Sequence, residues 1–443
     1  MHGSLLFLVL LLSAPMARAD EVAEWIAREA VPLRSVELTD DFSDLAPLKP
    51  IIGDARIISF GEGTHDVHEL WAFRNRLFAY LVEEHGVTAM AAETGLAPSF
   101  ATDDYALGKD VSRIRAAQGV FSWSDSVFDE NLQIVDWMRA YNARPTTTRK
   151  IRFYGLEMSG CMRPEGRPLI ESALSYVARL DPARSKASMR EFARLLQKFS
   201  RDGYGALTAD QRTSLLAAVQ DLVSLFERRQ VVWISRTSAL QYERAYRQAV
   251  AARQLTAHFR MKGEGRDIAA AQNLRWALER EGPEGRLFVF AHNSHVAKWR
   301  KRPENDDDLH STMGEFVNDY FGEDMVVIGS LYDRGTARDL LGLFRPRNET
   351  YTVPPSKPGS LNGLAAKSGR ARFLLDLKKV PDSGAVPQWF SRLRTIRNIN
   401  VRSGYHEIDT LAAFDALVFL RDITPLRLNT KANSVTAPHG CTR

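Results

Sequence analysis

The chain has 443 residues, of which 44% are hydrophobic and 26% are charged. This composition excludes a disordered or fibrous chain and is that of a globular protein with one large domain or two. The net charge of +5 is small for this length and the arginines are spread along the chain, so nothing indicates nucleic acid as a partner.

Residues 1–19 have the pattern of a secretory signal peptide. Leu5–Leu12 is an apolar core, and Ala17 and Ala19 are the small residues that precede a cleavage site before Asp20. The segment has no Lys or Arg before its apolar core, and that core is far shorter than the roughly 20 residues that span a bilayer. We therefore predict a periplasmic or secreted protein with no stable membrane insertion, whose mature domain covers residues 20–443.

The first elements of the mature domain predict a strand–helix–strand unit. Short apolar runs with β-branched residues indicate buried strands, and a 3.6-residue apolar period indicates the helix between them. A parallel sheet is the expected arrangement of such a unit. Its first strand, glycine-containing turn, helix and second strand are predicted at residues 55–60, 61–65, 66–84 and 87–92.

Titratable side chains stand where the strands of this unit end. Glu62 and His65 follow the first strand, and Glu93 ends the second. The carboxyl ends of parallel strands form the edge where open α/β sheets bind ligands, so we expect these three side chains to meet there. Arg74 lies two to three turns along the intervening helix. His68, one turn from His65, either lines the same edge or is solvated.

The rest of the chain alternates further helices and strands. Glu157 ends the third predicted strand, and His292 and His295 follow the fourth, so all three are candidates for the same edge of the sheet. We predict helices at residues 22–30, 129–142, 168–180, 266–281 and 312–321, and strands at residues 150–156, 286–291, 325–328, 350–353, 371–375 and 416–420.

A long helical segment interrupts this alternation between residues 181 and 262. We interpret it as a helical arm, which either caps a substrate cleft or only packs against the domain. Asn305–Asp308 predicts an acidic surface loop, with cation binding as the less favoured alternative. Residues 429–443 predict a disordered tail. Cys161 and Cys441, the only cysteines, would either form a disulfide in an oxidising compartment or stay apart.

The usual sequence signatures of hydrolases are missing. The chain contains no Gly-x-Ser-x-Gly elbow, no phosphate-binding glycine loop and no His-Glu-x-x-His motif. A histidine beside carboxylates remains, and such a histidine is suited to accept a proton near neutral pH. In this interpretation His65 deprotonates a water, and Glu62 or Glu93 orients the imidazole or the water.

These residues resemble the erythromycin esterase family. The likeness lies in Gly61-Glu62-Gly63-Thr64-His65, in Arg74 and Glu93 at their spacing, and in Ala291-His292-Asn293-Ser294-His295. Weaker likeness covers residues 137–142, 153–157, 272–274 and 312–314.

The resemblance implies a fold and a site. The fold would be three-layer α/β/α, with a mostly parallel sheet and a long helical insertion. The site would hydrolyse a carboxylic ester such as a macrolide lactone, with no cofactor or metal. Its catalytic residues would be His65 as the base together with Glu62, Glu93, Arg74, His292 and His295. The positions of Glu157 and His68 near the same edge, rather than the resemblance, make these two candidates for supporting the site or binding substrate.

Two alternatives stay open. The same glutamates and histidines are possible ligands of a divalent ion, which would activate water in place of His65. In the second alternative, the chain is a periplasmic protein that binds a small molecule without turnover. The sequence does not fix the oligomeric state.

Overall fold

The computed structural model describes residues 19–39, 41–261, 265–301, 311–342, 345–398 and 404–434. Its strands are numbered in chain order: β1 (Val31–Pro32), β2 (Ile57–Glu62), β3 (Ala89–Gly95), β4 (Arg152–Glu157), β5 (Leu287–His292), β6 (Met325–Arg338), β7 (Thr350–Val353), β8 (Arg372–Asp376), β9 (Arg394–Arg397), β10 (Tyr405–Ile408) and β11 (Ala416–Ile423).

The helices surround these strands. They are α1 (19–29), α2 (Leu48–Ile52), α3 (His68–His85), α4 (Leu96–Ala106), α5 (Arg113–Val120), α6 (Asp129–Ala143), α7 (Arg167–Leu180), α8 (Pro182–Phe192), α9 (Arg201–Gly205), α10 (Ala209–Arg236), α11 (Ala239–Arg260), α12 (Gly265–Glu281), α13 (Asn293–Val296), α14 (Met313–Phe321), α15 (Leu361–Lys367), α16 (Ala385–Phe390), α17 (Thr410–Ala413) and α18 (Thr430–Asn433). None of the helices within the described ranges is long and apolar enough to cross a bilayer.

Nine of the strands form one sheet, which is mostly parallel as predicted. Its order is β1-β8-β11-β6-β2-β5-β3-β4, and β7 pairs with β6 outside this path. The run from β11 to β4 is parallel throughout. The pairings of β1 with β8, β8 with β11 and β7 with β6 are antiparallel. Strands β9 and β10 form a separate hairpin.

Alternate residues of each central strand enter two different cores, because successive side chains of a strand point to opposite faces. On β2, Ile58 and Phe60 pack in a cluster with Phe73 of α3. Ile57 belongs to a second cluster on the other face, with Leu274 of α12. Helices therefore cover both faces of the sheet, and the predicted three-layer arrangement is confirmed.

The helical segment predicted at residues 181–262 contains α8, α9, α10 and α11. Helices α10 and α11 pack against each other, and α11 also packs on α7 and α12. Their apolar side chains form a third cluster, which includes Phe226 and Leu255 and reaches Leu96 at the start of α4. The arm is thus joined to the α/β core through its own buried interface.

Several predicted boundaries need correction. Glu62 is the last residue of β2 rather than a residue beyond it, and Glu93 lies inside β3, which continues to Gly95. Strand β6 extends to Arg338, ten residues past its predicted end, because its polar half pairs with β7 and β11.

The predicted disordered tail over residues 429–443 starts too early. Thr430–Asn433 is helical and is anchored where the Nδ2 of Asn433 donates to the carbonyl of Val127 over 2.9 Å. Cys161 is disulfide-bonded. The signal peptide up to residue 18, the acidic loop Asn305–Asp308, the rest of the tail from residue 435 and Cys441 lie outside the described residues.

Candidate active site

Four neighbouring parallel strands bring the predicted residues to one edge of the sheet. These strands are neighbours in the order β2, β5, β3 and β4. At or near their carboxyl ends they carry Glu62, His292, Glu93 and Glu157, respectively. Glu62 and His292 occupy paired positions of β2 and β5. His65 follows β2 by three residues, so the topology alone assembles three carboxylates and two imidazoles at this edge of the sheet.

Close backbone packing holds the loops behind this edge. A Cβ on Gly61 would lie 2.7 Å from Cγ2 of Val296, so only glycine lets α13 approach β2 this closely. The side-chain amide of Asn293 donates to the carbonyl of Ser330 over 2.8 Å. The hydroxyl of Ser330 in turn accepts from the backbone N–H of Gly63 over 2.8 Å. The glycines and the asparagine of the two motifs therefore set the positions of His65 and His292.

Glu62 fixes the orientation of His65. Nδ1 of His65 donates to Oε1 of Glu62 over 2.5 Å, and Nε1 of Trp71 donates to the other oxygen over 2.8 Å. Nε2 of His65 is then the free ring nitrogen, and it faces Oε1 of Glu93 at 4.0 Å. Burial by itself lowers the pKa of His65, but the charges of Glu62 and Glu93 outweigh it and raise this pKa to about 9.

Glu93 is held as an anion. It accepts from the backbone N–H of His292 over 2.7 Å and from Nη2 of Arg266 over 2.6 Å. Burial favours its neutral form, but the positive charges of His295, Arg266 and His65 prevail and lower its pKa. Glu93 therefore supplies a fixed negative charge beside the free nitrogen of His65.

Arg266 of α12 is the central cation of the site, and sequence reasoning missed it. Its Nε donates to both oxygens of Glu157 at 3.0 Å, and its Nη1 lies 3.0 Å from Nε2 of His295. Its guanidinium stacks over the ring of Trp123 at 4.6 Å. Although burial lowers it, the pKa of Arg266 is raised by Glu157 and Glu93. Arg266 thus neutralises the carboxylates of β3 and β4.

The two histidines after β5 have different environments. Nδ1 of His295 donates to Oδ1 of Asp267 over 2.7 Å, and this partner raises the pKa of His295 against the effect of burial. His292 has no carboxylate partner on its ring among the described residues. Burial, and then the charge of His65, lower the pKa of His292 well below its usual value, so its ring is neutral.

The hydrogen bonds of His292 also assign its tautomer. The backbone N–H of Ser294 donates to Nδ1 of His292 over 3.2 Å as part of the cap of α13, and the Ser294 hydroxyl, which can also donate, lies 2.7 Å from the same nitrogen. Since Nδ1 accepts, the proton of the neutral ring is on Nε2. Nε2 is buried and has no partner in the described part of the chain. The ring centres of His292 and His65 are 5.3 Å apart, so this unused donor lies next to His65.

Arg74 and His68 are not in this cluster. Arg74 packs against the ring of Trp71 and donates to the side chains of Asn75 and Asn131 over 3.0 Å each, and no described residue forms an ion pair with it. Arg266, rather than Arg74, is the arginine that is bonded to Glu93 and Glu157. His68 is buried between Glu130 and Glu37, at 2.6 and 2.8 Å, so it is neither solvated nor part of the edge that holds His65.

Within the described ranges, no group of three or more His, Cys, Asp and Glu side chains is arranged to hold a metal ion. The oxygens of Glu93 and Glu157 are already bonded to Arg266 and to backbone N–H groups. What the arrangement provides is an oriented imidazole with one free nitrogen, a neutral imidazole that presents an unused N–H, and a carboxylate, that of Glu93, whose pKa is lowered.

Comparison with known proteins agrees with this picture. The family model described as erythromycin esterase matches residues 82–423, a range that includes Glu93, Arg266 and His292 and begins after His65. Erythromycin esterase type II of Escherichia coli is 22% identical over 432 residues, which are 89% of this chain and 96% of that protein. The putative hydrolase YbfO of Bacillus subtilis (strain 168) is 22% identical over 440 residues, 90% of this chain and 91% of that protein.

Solved structures share the fold. A Bacillus cereus protein superposes with a TM-score of 0.76 at 22% identity, covering 93% of this chain and 99% of that one. An erythromycin esterase mutant in its open conformation gives a TM-score of 0.64 at 17% identity, covering 87% of this chain and 95% of that one. At these identities the likeness to the two structures establishes the architecture alone.

Proposed function

This chain belongs to the erythromycin esterase family of hydrolases, and from that premise we propose that it hydrolyses a carboxylic ester by attack of a water that His65 deprotonates. A macrolide lactone is the substrate that the named relatives suggest. The observation that carries the proposal is the orientation of His65, whose Nδ1 is bound to Glu62 while Nε2 is free beside the N–H of His292.

The first step transfers a proton from water to Nε2 of His65 as the water oxygen attacks the carbonyl carbon. The developing imidazolium is stabilised by Glu62 through Nδ1 and by Glu93 beside Nε2. No serine is acylated in this scheme, and the chain has no nucleophile elbow that would supply one.

The attack converts the carbonyl oxygen to an oxyanion, which needs a hydrogen-bond donor placed in advance. Nε2–H of His292 fits this role, because it is buried, unpartnered among the described residues and adjacent to His65. Collapse of the tetrahedral intermediate breaks the C–O bond, and the leaving alkoxide takes the proton back from His65. A lactone yields one ring-opened hydroxy acid that contains one added water.

Arg266 and His295 border the side from which substrate enters. Their side chains are 26% and 18% exposed, whereas Glu62, Glu93 and His65 are each below 10%. A substrate that reaches His65 therefore passes along the guanidinium of Arg266 and the ring of His295. Arg266 would also hold Glu93 and Glu157 in place while the substrate excludes water.

A panel of simple esters and macrolides tests the proposal. Wild type and His65→Asn are incubated with each compound, and products are identified by mass spectrometry. A gain of one water that the variant produces about 10² to 10⁴ times more slowly supports the proposal. His85→Asn is the matched control, because His85 is also buried but lies at the far end of α3, and its ring has the Tyr80 hydroxyl, at 2.9 Å, as its hydrogen-bond partner among the described residues. Equal rates for wild type and His65→Asn would refute the role of His65.

The same material separates the alternatives. Turnover that disappears with a chelator and returns with one divalent ion would establish the metal-dependent mechanism. Binding of a macrolide with no product after long incubation would establish a binding protein.

We also propose that the protein is exported to the periplasm or medium, on the sequence of residues 1–19. Determining the N-terminus of the protein recovered from the native host tests this proposal.

A further inference from the structure

A cavity lies within the helical arm, away from the active site. It is a cleft of about 820 Å³, open to solvent and lined by α9, the first turns of α10 and the end of α11. None of the described residues of the active site lines it. Its size is within the range of about 300–1,000 Å³ that is typical of small-molecule sites.

Three guanidinium groups line this cavity, from Arg201, Arg212 and Arg260. None of them forms an ion pair with a carboxylate in the described part of the chain, and no described lining residue is acidic. Arg212 donates to the carbonyl of Gly205 over 2.9 Å, and its remaining donors are free of described partners. Arginine is the side chain best suited to bind carboxylate, sulfonate or phosphate groups.

His258 on α11 adds an independent sign of a ligand. Its Nδ1 is buried and has no partner among the described residues, which is uncommon for a polar atom in a protein interior. The ring lines the same cavity as the three arginines. Burial, and then the charges of Arg266 and Arg201, lower the pKa of His258, so the ring is neutral and can pair with a ligand atom.

Much of the remaining wall of the cavity is apolar. The rings of Tyr204 and Phe259 are buried with centres 5.6 Å apart, and Leu216 completes this surface. Arg212 stacks over Tyr204 at 5.5 Å. Aromatic rings beside unpaired guanidiniums suit a ligand that is charged at one end and apolar at the other.

We propose that this cavity binds a small molecule that carries one acidic group, a carboxylate, sulfonate or phosphate, on an aromatic or similarly apolar body. The acidic group pairs with Arg201 and Arg260 at the exposed edge. The apolar body lies on Tyr204 and Phe259, and His258 supplies a hydrogen bond at the inner end. This site is separate from His65 and does not depend on the proposed ester hydrolysis.

Isothermal titration of the purified protein with 2-naphthalenesulfonate tests the site, and 2-naphthalenemethanol and 2-naphthylmethylamine serve as the neutral and cationic probes. We expect the sulfonate to bind at least about tenfold more tightly than either analogue, and its affinity to fall as salt is added. Equal affinity for the three probes, or no binding of the sulfonate at about 1 mM, would overturn the proposal.

A pair of charge-reversal variants locates the binding. Arg201→Glu/Arg260→Glu is expected to weaken sulfonate binding by at least about tenfold. Arg228→Glu/Arg229→Glu changes the net charge equally on an exposed part of α10 outside the cavity, and is expected to leave the affinity within about twofold of wild type. Thermal melts confirm that both variants fold, and similar losses in both would show that the sulfonate responds only to overall charge.

Discussion

The pH dependence of hydrolysis should be set by the contact between Glu62 and His65. The carboxylates raise the pKa of His65 to about 9, so His65 is mostly protonated at pH 7 and only a small fraction is the free base. We expect kcat/KM to rise about tenfold per pH unit from neutral pH and to level off near pH 9. Glu62→Gln keeps the shape of the side chain and removes the charge, and its single amide oxygen accepts from only one of the two donors, Nδ1 of His65 or Nε1 of Trp71.

The expected effect of Glu62→Gln can be judged from how far the pKa of His65 is raised in the wild type. Raising the pKa of His65 from 6.5 to about 9 corresponds to roughly 3 kcal/mol in favour of the imidazolium. This net effect already includes burial, which acts in the opposite direction, so the carboxylates together contribute more. In Glu62→Gln only Glu93 and Asp66 remain to oppose burial, and the pKa of His65 is expected to fall toward or below 6.5.

The measurement is kcat/KM of wild type and Glu62→Gln between pH 5 and 10 on one soluble ester. In Glu62→Gln, the rise of kcat/KM with pH should occur at least one pH unit lower than in wild type. The maximum value of kcat/KM should also fall, because the base is weaker and less well oriented. Glu130→Gln removes another buried carboxylate, one that binds His68 instead, and should leave this rise near pH 9. An unchanged pH dependence in Glu62→Gln would show that His65 is not the titrating base.

Three further outcomes follow from the site. His292→Ala is expected to lower kcat about 10²–10³-fold with little change in KM, since it removes one oxyanion donor, and steady-state kinetics at the plateau pH measure it. Arg266→Met leaves Glu93 and Glu157 without their counter-ion and should cost about 3–5 kcal/mol in urea unfolding, which Arg266→Lys restores only in part. Burial raises the pKa of Asp66 to about 6, so its stabilising effect is complete below about pH 4 and is lost as pH rises through 6. Asp66→Asn should therefore gain up to about 3 kcal/mol relative to wild type across that window, in unfolding curves at several pH values, and a constant difference would contradict this.

The edge of the sheet was predictable because two local patterns coincide there. Apolar runs located β2, β3, β4 and β5, and in a parallel sheet these strands must end on one side, so Glu62, Glu93, Glu157 and His292 were placed together without a structure. The position of His65 required only its short distance from Glu62 in the chain.

Arg266 could not be predicted as a site residue because its sequence neighbours form no recognisable motif. It is one arginine among many, it follows the long arm, and it reaches the site only because α12 packs beside β4. The family resemblance points to Arg74 instead, yet α3 directs that side chain behind Trp71 toward Asn131. Sequence spacing indicates which face of a helix a residue occupies, but not what another part of the chain has placed opposite.

The antiparallel edge of the sheet, formed by β1 and β8, could not be predicted from the sequence either. β8 appeared in the sequence as another apolar run, and its reversed direction depends on the connections on either side rather than on its own residues. The two-residue strand β1 and the hairpin of β9 and β10 are too short to show a period of two.

The pKa of His65 is raised and that of His292 is lowered, which raises the question of which ring is the base and which is the oxyanion donor. At pH 7 His65 is mostly protonated and His292 is neutral, which on charge alone would make His292 the base and His65 the oxyanion donor. The hydrogen bonds exclude that reversal, because the backbone N–H of Ser294 occupies the lone pair of His292 Nδ1 and leaves Nε2 with a proton. His292 can therefore donate but has no free lone pair, whereas His65 gains one at Nε2 as soon as its proton leaves. An environment that separates two like groups in this way is how one site holds an acid and a base together, and here it predicts activity that increases with pH, the opposite of what a base with the low pKa of His292 would give.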